Sequence, residues 1–144
     1  MSSGAAGPIH GRTTSRSGYR YQFYTKHHAR QKSPEAQWFP ELTREQEFEV
    51  FDRADQLELT DERGNLYGMR PRKADGRFPH LGTRGEQVAK FPFARDNAPW
   101  HGYPLWPNET PRAPSVPDVA LAKLVGLGLL SASEQRRLRK GKSV

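Results

Sequence analysis

The run Phe91-Pro92-Phe93-Ala94-Arg95-Asp96-Asn97-Ala98-Pro99-Trp100-His101-Gly102-Tyr103-Pro104-Leu105-Trp106-Pro107 constrains the fold more than any other stretch of the chain. It gathers two Trp, one Tyr, two Phe and four Pro around a His and an Arg–Asp pair. That much aromatic surface left in water would form a sticky patch of the kind soluble monomers avoid, so the run is either buried or binds something. Each proline lacks an N–H and fixes φ, which denies the run helix and central-strand pairing. A rigid, irregular segment wrapped over the core is expected, with His101 and Arg95 at its edge.

A chain of 144 residues allows one domain with a modest core. A formal net charge of +7 favours a polyanionic partner, nucleic acid first and an anionic membrane or acidic protein second. The absence of cysteine excludes disulfides, a thiolate nucleophile and Cys-ligated zinc. The longest apolar run, 124–130, falls far short of the roughly 20 residues that span a bilayer. The first residues carry no apolar stretch of the secretory type. These features point to a cytoplasmic protein without a membrane partner.

Composition divides the chain into three. Residues 1–18 are mostly Ser, Gly, Thr and Arg with little that is apolar, too polar to offset the entropy of ordering, and read as a disordered basic arm. Residues 19–110 read as an α+β core: a small antiparallel sheet with one packed helix and the Pro/aromatic segment laid over it. Residues 111–144 read as a Pro-rich linker and a basic C-terminal helical hairpin.

Within the core, Tyr19-Arg20-Tyr21-Gln22-Phe23-Tyr24-Thr25 alternates and is rich in β-forming aromatics, which predicts a strand. Thr43-Arg44-Glu45-Gln46 has the form of a capping box, and Phe48, Val50, Phe51 and Ala54 follow at helical spacings, so residues 44–55 are expected to be an amphipathic helix. Residues 56–60 and 65–69 flank Asp61-Glu62-Arg63-Gly64 and predict a hairpin. Residues 86–93 offer a further strand, which Pro92 would push to a sheet edge. Near the end, Pro117-Asp118 opens a helix, Gly128 closes it, and Ser131-Ala132-Ser133-Glu134 caps a second one.

Few residues offer catalytic chemistry. Gly126-Leu127-Gly128 ends a helix instead of following a strand, and Gly141-Lys142-Ser143 lacks the first glycine of a phosphate loop, so neither is a nucleotide motif. No HxH or HxxxH spacing exists, no metal site is expected, and no cofactor is implied. A metal-independent nuclease needs a general base, a general acid and a cation for the developing phosphorane charge; His101 with Glu86 and either Arg95 or Arg84 are the candidates, with His27 or His28 as the second proton carrier.

Binding asks for less. Aromatics interleaved with cations can stack on unpaired bases while the cations follow phosphates. The candidates are Arg16, Arg20, Tyr21 and Lys26 at the first strand, Arg70, Arg72 and Lys73 after the hairpin, and Arg136, Arg137, Arg139 and Lys140 on the last helix. The leading expectation is therefore a basic protein that binds RNA, ahead of DNA, or a nucleoprotein, through a cationic face. A nuclease or toxin-like effector is the first alternative. A protein-binding inhibitor or assembly subunit that uses the 91–107 segment is the second.

Overall fold

The computed structural model describes residues 6–15, 17–24, 37–105 and 116–144. Arg16, Lys26, His27, His28, the linker at 111–115 and the end of the aromatic run at 106–107 lie outside them. The fold is α+β, with two small antiparallel sheets and three helices among the described residues. Strands β1 (Ala6–Arg12) and β2 (Arg20–Tyr24) form the first sheet. Strands β3 (Leu66–Gly68), β4 (Val88–Phe91) and β5 (Tyr103–Leu105) form the second, in that order.

Helix α1 (Arg44–Gln56) starts where its sequence says it must. Thr43 Oγ1 accepts from Gln46 N at 3.0 Å, and Gln46 Oε1 accepts from Thr43 N at 2.9 Å. Its apolar face puts Val50, Phe51 and Ala54 against β3 and β2, each almost wholly buried. Burial of a Val or Phe side chain stabilises by about 1.5–3 kcal/mol, so this face anchors the helix far more strongly than its cap does. Gly68 permits the approach, since a Cβ there would stand 2.8 Å from Val50 Cγ1.

The central sheet separates two apolar clusters, as strand alternation requires. Leu66, Ala89 and Phe91 face α1 and β2, together with Tyr21, Trp38 and Trp100. Tyr67, Met69, Val88 and Leu105 face the other way, onto helices α2 (Asp118–Gly126) and α3 (Ala132–Arg139). The C-terminal helices are thus a third layer of the fold, sharing a core with the sheet. Leu121, Leu124, Leu130 and Leu138 supply their side of it.

All three helices end alike. After α2, Gly128 N donates to Val125 O and Leu129 N to Leu124 O, both at 3.0 Å, with Gly128 at φ +75°. This is the Schellman pattern expected from Gly128. Gly141 closes α3 in the same way, through Gly141 N to Leu138 O and Lys142 N to Arg137 O. At the end of α1 the left-handed position is held by Glu58, at φ +53°.

Several expectations need correction. The stretch 6–12 is not a disordered arm: it is β1, paired with β2 through Gly11↔Tyr21 and Arg12↔Arg20. The hairpin at 56–69 is reduced to one bridge, Thr60↔Leu66, because α1 runs on to Gln56 and leaves too few residues for a strand before the turn at Asp61. β3 pairs instead with β4. Pro92 does not place β4 at an edge; it ends β4, which is the central strand. Nor is the 91–105 segment irregular throughout, since Pro104 lies in β5, an edge strand where its missing N–H costs no ladder bond.

Candidate functional site

Trp100 joins the two sheets. Its N–H donates to Arg20 O at 2.7 Å and its carbonyl accepts from Gln22 N at 2.8 Å, so for one residue the chain between β4 and β5 becomes a neighbour of β2. Trp100 is 2% exposed, and the Tyr19 ring packs on it at a tilt of 36° with centroids 4.7 Å apart. Phe93 meets it edge-on at 5.8 Å, yet is itself 49% exposed.

Between these groups lies a cleft of about 570 Å³. One wall is the β1–β2 connection, with Arg12, Gly18, Tyr19 and Arg20; the other is the loop carrying Phe93, Asp96 and Asn97; Trp100 lies between them. Arg12 Nη1 donates to Gly18 O at 3.2 Å, and Arg20 Nη2 donates to Asn97 O across the cleft. A guanidinium has five N–H donors, so both arginines keep donors for a ligand.

Local sequence explains each wall. Ala98 N donates to Arg95 O at 2.9 Å, and both residues between are left-handed, Asp96 at φ +55° and Asn97 at φ +60°. That is the signature of a type I′ turn, and Asp and Asn are the side chains that tolerate it. Phe93 is held by Asn65, whose Oδ1 accepts from Phe93 N at 2.9 Å, and its ring lies against Gly64. Asn65 is in turn held by Asp61 at 3.0 Å. Burial tends to raise the Asp61 carboxyl, but hydrogen bonds from Asn65, Tyr67 and two backbone amides outweigh it and hold the group below its ordinary value. On the opposite wall, Thr14 N donates to Asp52 Oδ1 at 2.7 Å and Ser15 Oγ donates to Asp55, which fastens the β1–β2 connection to α1.

The residues singled out from sequence fare unequally. Arg20 lines the cleft. Tyr21 does not; it is wholly buried and its hydroxyl donates to Glu47 Oε2 at 2.5 Å. Burial first, and the Glu47 charge second, push that phenol well above its ordinary pKa. Glu86 is also wholly buried, accepting from Arg84 N at 2.8 Å, and so cannot reach a substrate. This removes the carboxylate from the nuclease candidates; Arg95 is exposed on the type I′ turn and His101 is half-buried beside Trp100.

The other cations do not share one face. Arg72 is bound by Glu134 at 2.6 Å and lies over the Phe78 ring, Lys73 stands 3.6 Å from Asp75, and Arg139 pairs with Asp118 at 2.8 Å. Arg70 lines a groove beside α1. Arg136, Arg137 and Lys140 are exposed on α3, in the layer on the other side of the central sheet from the cleft. Arg12, which the sequence offers only as one cation of a basic N-terminal arm, also lines the cleft; Phe93, Asp96 and Asn97 are not singled out by sequence as binding residues, and their one local signal is Asp-Asn as a left-handed turn pair.

Among the described residues no group of three His, Asp or Glu side chains stands close enough to hold a metal ion. Among the same residues no helix is long and apolar enough to cross a membrane. No protein-family model, curated protein or solved structure matches the chain. The functional reading therefore rests on the chemistry of the cleft: two guanidinium groups, a half-exposed ring and a loop with polar side chains.

Proposed function

We propose that the protein binds single-stranded nucleic acid, RNA ahead of DNA, in the cytoplasm, and that the cleft over Trp100 is where an unpaired nucleotide is held. One observation carries this reading: Arg12 and Arg20 line one wall, and Phe93, an aromatic ring half open to solvent, lines the other wall of a cleft large enough for a nucleotide. An exposed ring offers a stacking face to any base, and adjacent guanidinium groups take phosphate oxygens. The surplus charge of the chain, +7, adds long-range attraction. The exposed cations of α3 stand too far round the fold to belong to the same subsite, and they serve the approach of the strand.

The test is a titration of a fluorescein-labelled uridine heptamer into the wild-type protein and into Phe93→Ala. Stacking is worth about 1–3 kcal/mol per base, so the variant is expected to bind at least about fivefold more weakly, with its thermal melting unchanged. Equal affinity of the two proteins removes the cleft from the interface.

A further inference from the structure

We infer that the cleft selects guanine, through the carboxylate of Asp96. The inference rests on the nucleic-acid reading of the same cleft and adds to it the identity of the base.

Asp96 is exposed, lines the cleft and, among the described residues, has no ion pair or hydrogen bond that occupies its carboxylate. A negative charge in the same cleft as Arg12 and Arg20 opposes a phosphate chain, and like charges across an interface act mainly to reject wrong partners. The carboxylate is favourable there only if the ligand brings hydrogen-bond donors to it. An ionised carboxylate is purely an acceptor, and its two oxygens suit a pair of parallel donors. On its Watson–Crick edge guanine presents such a pair, N1–H beside N2–H. Adenine and cytosine each set one amino group beside a bare ring nitrogen, and uracil sets one N–H between two carbonyls. Their lone pairs would face the carboxylate.

The turn supports this use. Asp96 sits at its first left-handed position, with Arg20 bound to the carbonyl of the second residue, Asn97. The arginine that would meet phosphate thus also holds the reading loop, while Phe93 on the same wall supplies a stacking face. Unpaired bases are commonly read in this way, stacked on a ring and bonded along the Watson–Crick edge.

The experiment compares four labelled heptamers of uridine whose central residue is G, A, C or U, with GMP as competitor. Wild-type protein is expected to bind the guanine heptamer about tenfold more tightly than the others, the usual worth of one bidentate base contact. Asp96→Asn and Asp96→Gly are expected to bring all four probes within about twofold of one another. Glycine is unstrained at positive φ, so Asp96→Gly keeps the turn while removing the carboxylate. Four equal affinities in the wild type, or a guanine preference that survives in Asp96→Gly, overturn the inference and leave the cleft reading in place. Failure of the wild type to bind any heptamer overturns both. Competition by GMP as strong as that of the guanine heptamer upholds the base assignment and makes the free nucleotide the ligand in place of the strand.

Discussion

Gln87 holds Val144 by both of its backbone groups: the Gln87 amide donates to Val144 O at 2.6 Å, and Gln87 Oε1 accepts from Val144 N at 2.8 Å. The same amide donates to Phe78 O at 2.8 Å, so one buried side chain ties the residue before β4 to two other segments. Replacing it by an apolar residue strands several buried polar groups at once, and each costs about 1–3 kcal/mol. Gln87→Leu is expected to lower stability by about 2–4 kcal/mol, read as a lower urea midpoint with an unchanged slope. An unmoved midpoint would show that water replaces the side chain freely.

Glu58 occupies the left-handed position after α1 that glycine fills after α2 and α3. A side chain there costs about 1–2 kcal/mol, part of which glycine returns through its greater freedom when unfolded. Glu58→Gly is expected to stabilise the protein by about 0.5–1 kcal/mol, raising the urea midpoint. A fall in the midpoint would mean that the Glu58 side chain contributes more than its backbone costs.

The same Gly-to-Ala change has opposite signs at two sites. A Cβ on Gly102 would stand 2.1 Å from Phe91 Cδ1, in a ring packed between Phe51 and Trp38. On Gly126, at the end of α2, a Cβ meets nothing within 4 Å. Gly102→Ala is expected to destabilise by about 2–3 kcal/mol and Gly126→Ala to stabilise by about 0.5–1 kcal/mol, both read by thermal melting. Equal shifts in the two variants would contradict the packing described around Phe91.

Arg72 holds the Glu134 carboxyl down to about 2, from an ordinary 4.5, with help from Ser131. A carboxyl depressed in the folded state adds stability that is complete above its unfolded pKa and is lost as pH falls through the folded one. The melting temperature of the wild type is therefore expected to drop between about pH 4.5 and pH 2 more steeply than that of Arg72→Gln. The difference should be small, because the pair is partly open to water. Parallel curves would show that the ion pair does not report on folding.

What sequence made legible was local. Thr43 with Gln46, Ser131 with Glu134, and Gly128 each carry their structural instruction within a few residues, and each is fulfilled. Alternation puts Tyr19, Tyr21 and Phe23 on one face, but it cannot say whether that face binds a ligand or packs on α1, and Tyr21, a binding candidate by sequence, lies in the core. β1 was invisible because its sequence acquires a reason to be ordered only from partners outside itself, the next strand β2 for its backbone and the more distant α1 for the connection that follows it. Buried Glu86 and Glu47 were equally hidden, since a carboxylate reads as surface until Arg84 or Tyr21 is seen beside it. The cleft depends on the bridge from Trp100 to Arg20 and Gln22, about 80 residues apart in the chain, a pairing that no local pattern announces.

The most direct test of the cleft is the salt dependence of RNA binding, measured by fluorescence anisotropy of a labelled uridine heptamer between about 50 and 200 mM salt. If Arg12 and Arg20 each neutralise a phosphate, the double variant Arg12→Gln, Arg20→Gln binds more weakly and its log–log slope is shallower by about 1.4, roughly 0.7 for each lost contact. The same slope and affinity in both proteins would contradict the account.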